Sequence, residues 1–169
     1  PVINLFSLND LVTQLNYARP VYPGIPQTGI VTTQGDTSLL SFIARNGFNV
    51  SGEGIKIGIL SDSYNTRVGN LAADDIVRGD LPGPGNPNNP IPVDLLEDYP
   101  YGVATDEGRA MMQIIHDIAP KAELAFRTGL KSSRDFANGI IQLQEAGCDI
   151  IVDDITYISE PFLSDGIVA

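Results

Sequence analysis

Residues 106–126, DEGRAMMQIIHDIAPKAELAF, read without interruption as helix, turn and strand, and no other stretch limits the fold as strongly. Met111, Ile114, Ile115 and Ile118 recur at the three- and four-residue spacing of a helix with one buried face, and Pro120 forbids continuation. The apolar run from Ala122 to Phe126 then returns as a strand, so helix and strand are expected to pack on each other. Asp106 and Glu107 stand in the first helical turn. The helix dipole and the open amide groups favour carboxylates there, so N-terminal capping accounts for both on composition alone.

The same alternation extends in both directions. Ile55, Ile57, Ile59 and Leu60 form a near-continuous apolar run of the kind seen in parallel strands buried on both faces, entered through Gly52 and Gly54. A short helix is expected over 70–78 and a strand over 93–96. After the strand at 122–127, Ser132 opens a helix with Asp135 as an acidic variant of the capping box. Phe136, Ile140, Ile141 and Leu143 give its buried face, and Gly147 ends it. A buried strand follows over 149–155 through Ile150, Ile151 and Val152. Strands alternating with helices predict a three-layer α/β/α domain with a mainly parallel sheet. In such sheets ligands gather at the carboxyl ends of the strands, and Asp62 is the acid at the end of the first.

The flanking segments divide the chain at about residue 34. A helix is expected over 4–18, with Leu5, Leu8, Leu11, Val12 and Leu15 at helical spacing. An extended linker carrying Pro20, Pro23 and Pro26 follows to residue 34. Residues 35–169 form the second unit. It begins with an amphipathic helix over 36–48 through Leu39, Leu40, Ile43 and Ala44, ended by Gly47. The Pro-, Gly- and Asn-rich stretch 79–92 reads as a surface insertion, with Asp74, Asp75 and Asp80 as a solvated acidic face. Another helix is expected to begin near residue 162.

Several partner classes are disfavoured. A net charge of −11 with no Lys/Arg-rich run argues against nucleic acid. No apolar run approaches the roughly 20 residues of a membrane-spanning helix. No acidic set has calcium-loop spacing, and neither a metal nor a cofactor is expected. Cys148 reads as a small buried hydrophobe. His116 lies about half a turn round the helix from Glu107, so it reads as a structural or surface histidine whose charged form the helix C-terminus favours. The opening Pro1 suggests a processed chain or a fragment.

Three ordered motifs resemble the subtilisin-like serine peptidases. Glu107-Gly108-Arg109, an apolar helix and Ile118-Ala119-Pro120-Lys121-Ala122-Glu123-Leu124 are similar to that family's second motif, in which His-Gly-Thr opens a helix ending in Val-Ala-Pro-x-Ala-x-Leu. Glu107 falls where the family carries its catalytic histidine. A Glu in that role resembles the sedolisins, although Met111 stands where their helix carries an Asp four residues on. The glycine turn, buried strand and Ser61-Asp62-Ser63 resemble the first motif, with Ser61 at the family's Asp position and Asp62 one residue later. Either the strand end re-aims Asp62 or Asp62 is a helix cap. Gly147-Cys148-Asp149-Ile150-Ile151-Val152-Asp153-Asp154-Ile155-Thr156 looks like the segment that lines the family's first specificity pocket.

The resemblance implies strand order 2-3-1-4-5-6-7, of which this chain supplies about the first four. It also implies an N-terminal portion of a peptidase in which Glu107 is general base and Asp62 orients it. Asp154, Ile155 and Thr156 would bind a peptide substrate. The family's Gly-Thr-Ser nucleophile motif is absent from this sequence, so a C-terminal remainder would supply the serine and the oxyanion asparagine. Export from the cell is the family-based expectation. The alternatives are a non-catalytic relative that keeps the cleft as a peptide-binding module, and an unrelated flavodoxin-like domain. The lack of a glycine-rich phosphate loop after Leu60 weighs against a nucleotide-binding version of the last.

Overall fold

The computed structural model describes residues 33–157 and 163–168. The helix expected over 4–18 and nearly all of the expected linker lie outside them. Among the described residues four parallel strands, β1 (Lys56–Ser61), β2 (Asp94–Glu97), β3 (Glu123–Thr128) and β4 (Ile150–Asp153), form one sheet in the order β2-β3-β1-β4. The central pair β1 and β3 holds the continuous apolar runs, because only strands flanked on both sides must be apolar on both faces.

Alternation along these strands separates two cores. Ile57 and Ile59 of β1 join Leu124 and Phe126 of β3 against Met112 of α4 (Glu107–Ile118). On the opposite face Leu60 and Ala125 meet Phe136 and Leu143 of α5 (Ser133–Glu145). Helices therefore cover both faces, and the domain has three layers. Ser132 caps α5 by accepting a hydrogen bond from Asp135 N at 3.2 Å. Ser132→Ala is expected to lower stability by about 1 kcal/mol, read from denaturant unfolding at unchanged m-value.

Burial on α4 differs from the apolar pattern. Met111 and Ile115 pack partly buried against the core as expected, but the fully buried stripe is Gly108, Met112 and His116, and Ile114 is 43% exposed. His116 is fully buried, and burial, opposed by Asp117 and reinforced by Lys121, pushes its pKa down to about 4. It is a structural histidine, one of the two roles expected, but burial favours its neutral form and not the charged one expected at the helix end. Desolvation outweighs the helix dipole here.

The helix expected over 36–48 is two helices, α1 (Gln34–Leu39) and α2 (Ser41–Phe48), broken at Leu40 in the left-handed region (φ 57°). Gly47 lies inside α2, and Asn49, also left-handed, ends it. Polar bonds account for the break. Ser41 Oγ donates to Asp36, and the Arg45 guanidinium grips both Asp36 oxygens at 2.7 and 2.8 Å while donating to Ile118 O at the end of α4. Asp36 is thereby buried, and Leu39, Leu40 and Ile43 face outward.

Residues 79–92 are not a loose insertion. Leu81, Pro82, Asn86 and Asn89 are buried, and the Asn89 amide donates to Pro120 O and Ala122 O at 3.1 and 3.0 Å. Of the acids expected to be solvated, only Asp74 is exposed. Asp80 is buried, and Asp75, on α3 (Leu71–Arg78), pairs with Arg109 Nε at 3.0 Å. Strand β4 lies at a sheet edge among the described residues, with Ile150 50% exposed, so the burial expected of this strand is not realised there. Cys148 is half-buried beside the α5-side core, which raises its thiol pKa. Residues 163–168 are not helical.

Candidate functional site

The carboxyl ends of β1 and β3 and the first turn of α4 meet at one corner of the domain. By alternation Ser61 shares the α4 side of β1 with Ile57 and Ile59; it is fully buried and its hydroxyl has no partner among the described residues. The chain bends at the next residue, and this bend aims Asp62 at α4. Asp62 Oδ1 accepts from Ser63 N and, at 3.2 Å, from Gly108 N, while Oδ2 accepts from Thr105 N and Thr105 Oγ1 at 2.7 and 2.5 Å. Burial pushes the Asp62 carboxyl up, but these bonds from Thr105, Gly108 and Ser63 outweigh it and hold it below the ordinary aspartate value. Asp62 caps α4 from another strand, since the helix's own N-cap residue, Asp106, makes no side-chain cap bond.

Asp106 fastens the loop that follows β1. Its side chain is fully buried and its backbone is left-handed (φ 58°), a conformation that aspartate tolerates better than most residues. Its carboxylate accepts from Ser63 Oγ, Thr66 N, Thr66 Oγ1 and Arg67 N at 2.9, 2.9, 2.8 and 3.3 Å, and from Arg109 Nη1 at 2.5 Å. Burial raises its pKa, but the bonds from Thr66, Arg109 and Ser63 dominate and leave it far below the ordinary range. Arg109 also donates to Tyr64 O at 2.8 Å, and Asp98 accepts from Tyr64 N and Asn65 N at 2.8 and 2.9 Å. The loop 62–67 is thus clamped from two sides. From spacing alone Asp106 is one of two equivalent caps; its buried bonds set it apart from Glu107. The readable signals were Ser63 and Thr66 after the strand and Arg109 three residues on.

Glu107, the first residue of α4, is exposed, and its carboxyl makes no hydrogen bond among the described residues. The helix reaches this corner because residue 108 is glycine. A Cβ there would lie 2.3 Å from the Phe126 ring and 2.8 Å from Ser63 O. Asp62 and Glu107 therefore share one helix terminus, joined through the Gly108 amide, without a hydrogen bond between their side chains. A carboxylate free at a helix N-terminus beside a buried, fully bonded one can accept a proton or hold a cationic group.

Strand β4 pairs Asp153 with Leu60, which brings the segment 154–156 to the same edge of the sheet. Asp154 and Thr156 are exposed, and Ile155 packs on the α5-side core. The Asp153 carboxyl is raised by burial and then by the charge of Asp154. Tyr157 steadies the segment by donating to Gly129 O and stacking edge-on against Phe136.

Among the described residues no group of three or more His, Cys, Asp or Glu side chains could hold a metal ion, and no helix is long and apolar enough to cross a membrane. No protein-family model matches the chain, and no curated protein matches its sequence.

Proposed function

We propose that this chain is the N-terminal portion of a serine endopeptidase of the subtilisin/sedolisin type. The observation that carries the reading is the meeting of Asp62, at the carboxyl end of β1, with the Glu107 end of α4 in a sheet ordered β2-β3-β1-β4. That is the order the resemblance implies for the first four strands, and the two acids come from two of the motifs that carry it. Glu107 would accept the hydroxyl proton of a serine supplied by a C-terminal part, and Asp62 would hold the helix end that carries it. Asp154, Ile155 and Thr156, which directly follow the strand next to β1, would line the path of a peptide substrate.

A second reading, a peptide-binding module without catalysis, is favoured by one feature. Both Asp62 oxygens are taken by Ser63, Thr105 and Gly108, so none is committed to orienting Glu107. A fluorophosphonate probe on the full-length protein separates the two. Serine labelling that drops at least about 100-fold in Glu107→Gln, with stability unchanged, supports the peptidase. No labelling, with peptides still bound, supports the module.

A further inference from the structure

We propose that the segment 79–92 is an acid-released latch, held closed by the neutral form of His116. The side chain at its centre is Asn86, 1% exposed. Its amide nitrogen donates to Leu81 O at 2.9 Å, lies 3.5 Å from Gly79 O, and meets His116 Nε2 at 3.2 Å. Its amide oxygen accepts from Asn88 N and Asn89 N at 2.9 and 3.4 Å. With the oxygen so engaged, the nitrogen is the group that faces the imidazole, and Nε2 must accept. The ring proton then sits on Nδ1, which has no partner among the described residues.

Protonation turns Nε2 into a donor aimed at another donor. Asn86 cannot rotate to offer its oxygen without giving up the bonds that shape the loop. The charged groups around the ring are Asp117 on its own helix, which favours the imidazolium, and Lys121 before β3, which opposes it. The latch presents the uncharged Asn86, with buried Asp80 at its start. Since the ring's pKa is about 4 in the fold and 6.5 as its reference, the closed state binds fewer protons between those values. Its stability is complete above pH 6.5 and falls as pH drops towards 4. By pH 4 the closed-to-open ratio is expected to fall on the order of 100-fold.

The latch connects to the candidate site. Asp80 N and Leu81 N both donate to Asp75 O, and the Asp75 carboxylate holds Arg109, the partner of Asp106. Opening the latch therefore loosens one of the two carboxylates that hold Arg109.

His116 is the sole histidine, so its NMR signal needs no assignment. The experiment follows its titration together with hydrogen-exchange protection of the Gly83, Asn86, Asn88 and Asn89 amides, corrected for intrinsic rates, from pH 7.5 to pH 4. The expected result is an imidazole midpoint well below 6, with protection of these amides falling on the same curve while β1 and β3 stay protected. His116→Gln, which keeps an acceptor for Asn86 at every pH, should abolish the dependence. Three results would overturn the proposal: an ordinary midpoint near 6.5, latch protection constant to pH 4, or simultaneous loss of protection in β1 and β3. Should His116→Gln not fold, the wild-type curves alone decide.

Discussion

Asp106→Ala is expected to destabilise the domain by about 3–5 kcal/mol, because it removes one partner from a buried ion pair and leaves several buried donors unmet. Arg109 keeps Asp75, but Ser63 Oγ, Thr66 Oγ1 and the amides of Thr66 and Arg67 lose the acceptor that organises them. Alanine is also a poor occupant of the left-handed backbone at φ 58°. Asp106→Asn keeps that conformation and one acceptor oxygen, so it should cost less, about 2 kcal/mol. Denaturant unfolding of both variants beside Glu107→Gln measures this; the exposed Glu107 should change stability by less than about 0.5 kcal/mol. The reverse ranking, with Glu107 the costlier loss, would remove Asp106 as the anchor of the corner.

The pH dependence has a definite sign. The Asp106 pKa is depressed in the fold, so its contribution is present above the unfolded value of about 3.9 and is lost as pH falls below it. Wild type should therefore lose more stability than Asp106→Asn below pH 4. The His116 window lies higher, between its reference value of 6.5 and about 4, so the two effects separate on one pH series.

Gly108→Ala is expected to destabilise by about 2–3 kcal/mol, with Tm lower by roughly 5–10 °C, although helix propensity alone would favour alanine by about 1 kcal/mol. The added methyl would meet the Phe126 ring at 2.3 Å and Ser63 O at 2.8 Å. Phe126 of β3 is fully buried in the core on the α4 side of the sheet, so its ring cannot swing aside into solvent. The helix end must lift, and with it the Gly108 amide bonded to Asp62. Phe126→Leu in the same background makes room for the methyl, so a double-mutant cycle should show favourable coupling above about 0.5 kcal/mol. Additivity, or a stabilising Gly108→Ala, would mean that helix and strand do not meet here as described.

Much of the architecture was legible because it rests on local periodicity. The runs at Ile57 to Leu60 and Leu124 to Phe126 are apolar on both faces, which is enough to place β1 and β3 inside a parallel sheet. Ser132 with Asp135 marked the start of α5 by cap chemistry alone. The same periodicity misled at residues 36–48, where Leu39, Leu40 and Ile43 point outward because Asp36 and Arg45 form the buried contact instead. On α4 it held in part: Met111 and Ile115 pack on the core, but the fully buried stripe is a glycine, a methionine and a histidine, and Ile114 is exposed.

The sequence by itself determined the alternation of strand and helix and the placement of Asp62 and Glu107 at element ends, since spacing and turn residues act within a few positions of themselves. Tertiary structure alone decided that Asp62 caps a helix from another strand and that Asp106, not Glu107, is the embedded carboxylate. It also decided that His116 is neutral and that residues 79–92 are pinned rather than loose. Each of these depends on how a buried polar group is satisfied. The partners lie tens of residues away in the chain, as between Asp62 and Gly108 or Asn86 and His116, where no local period can find them.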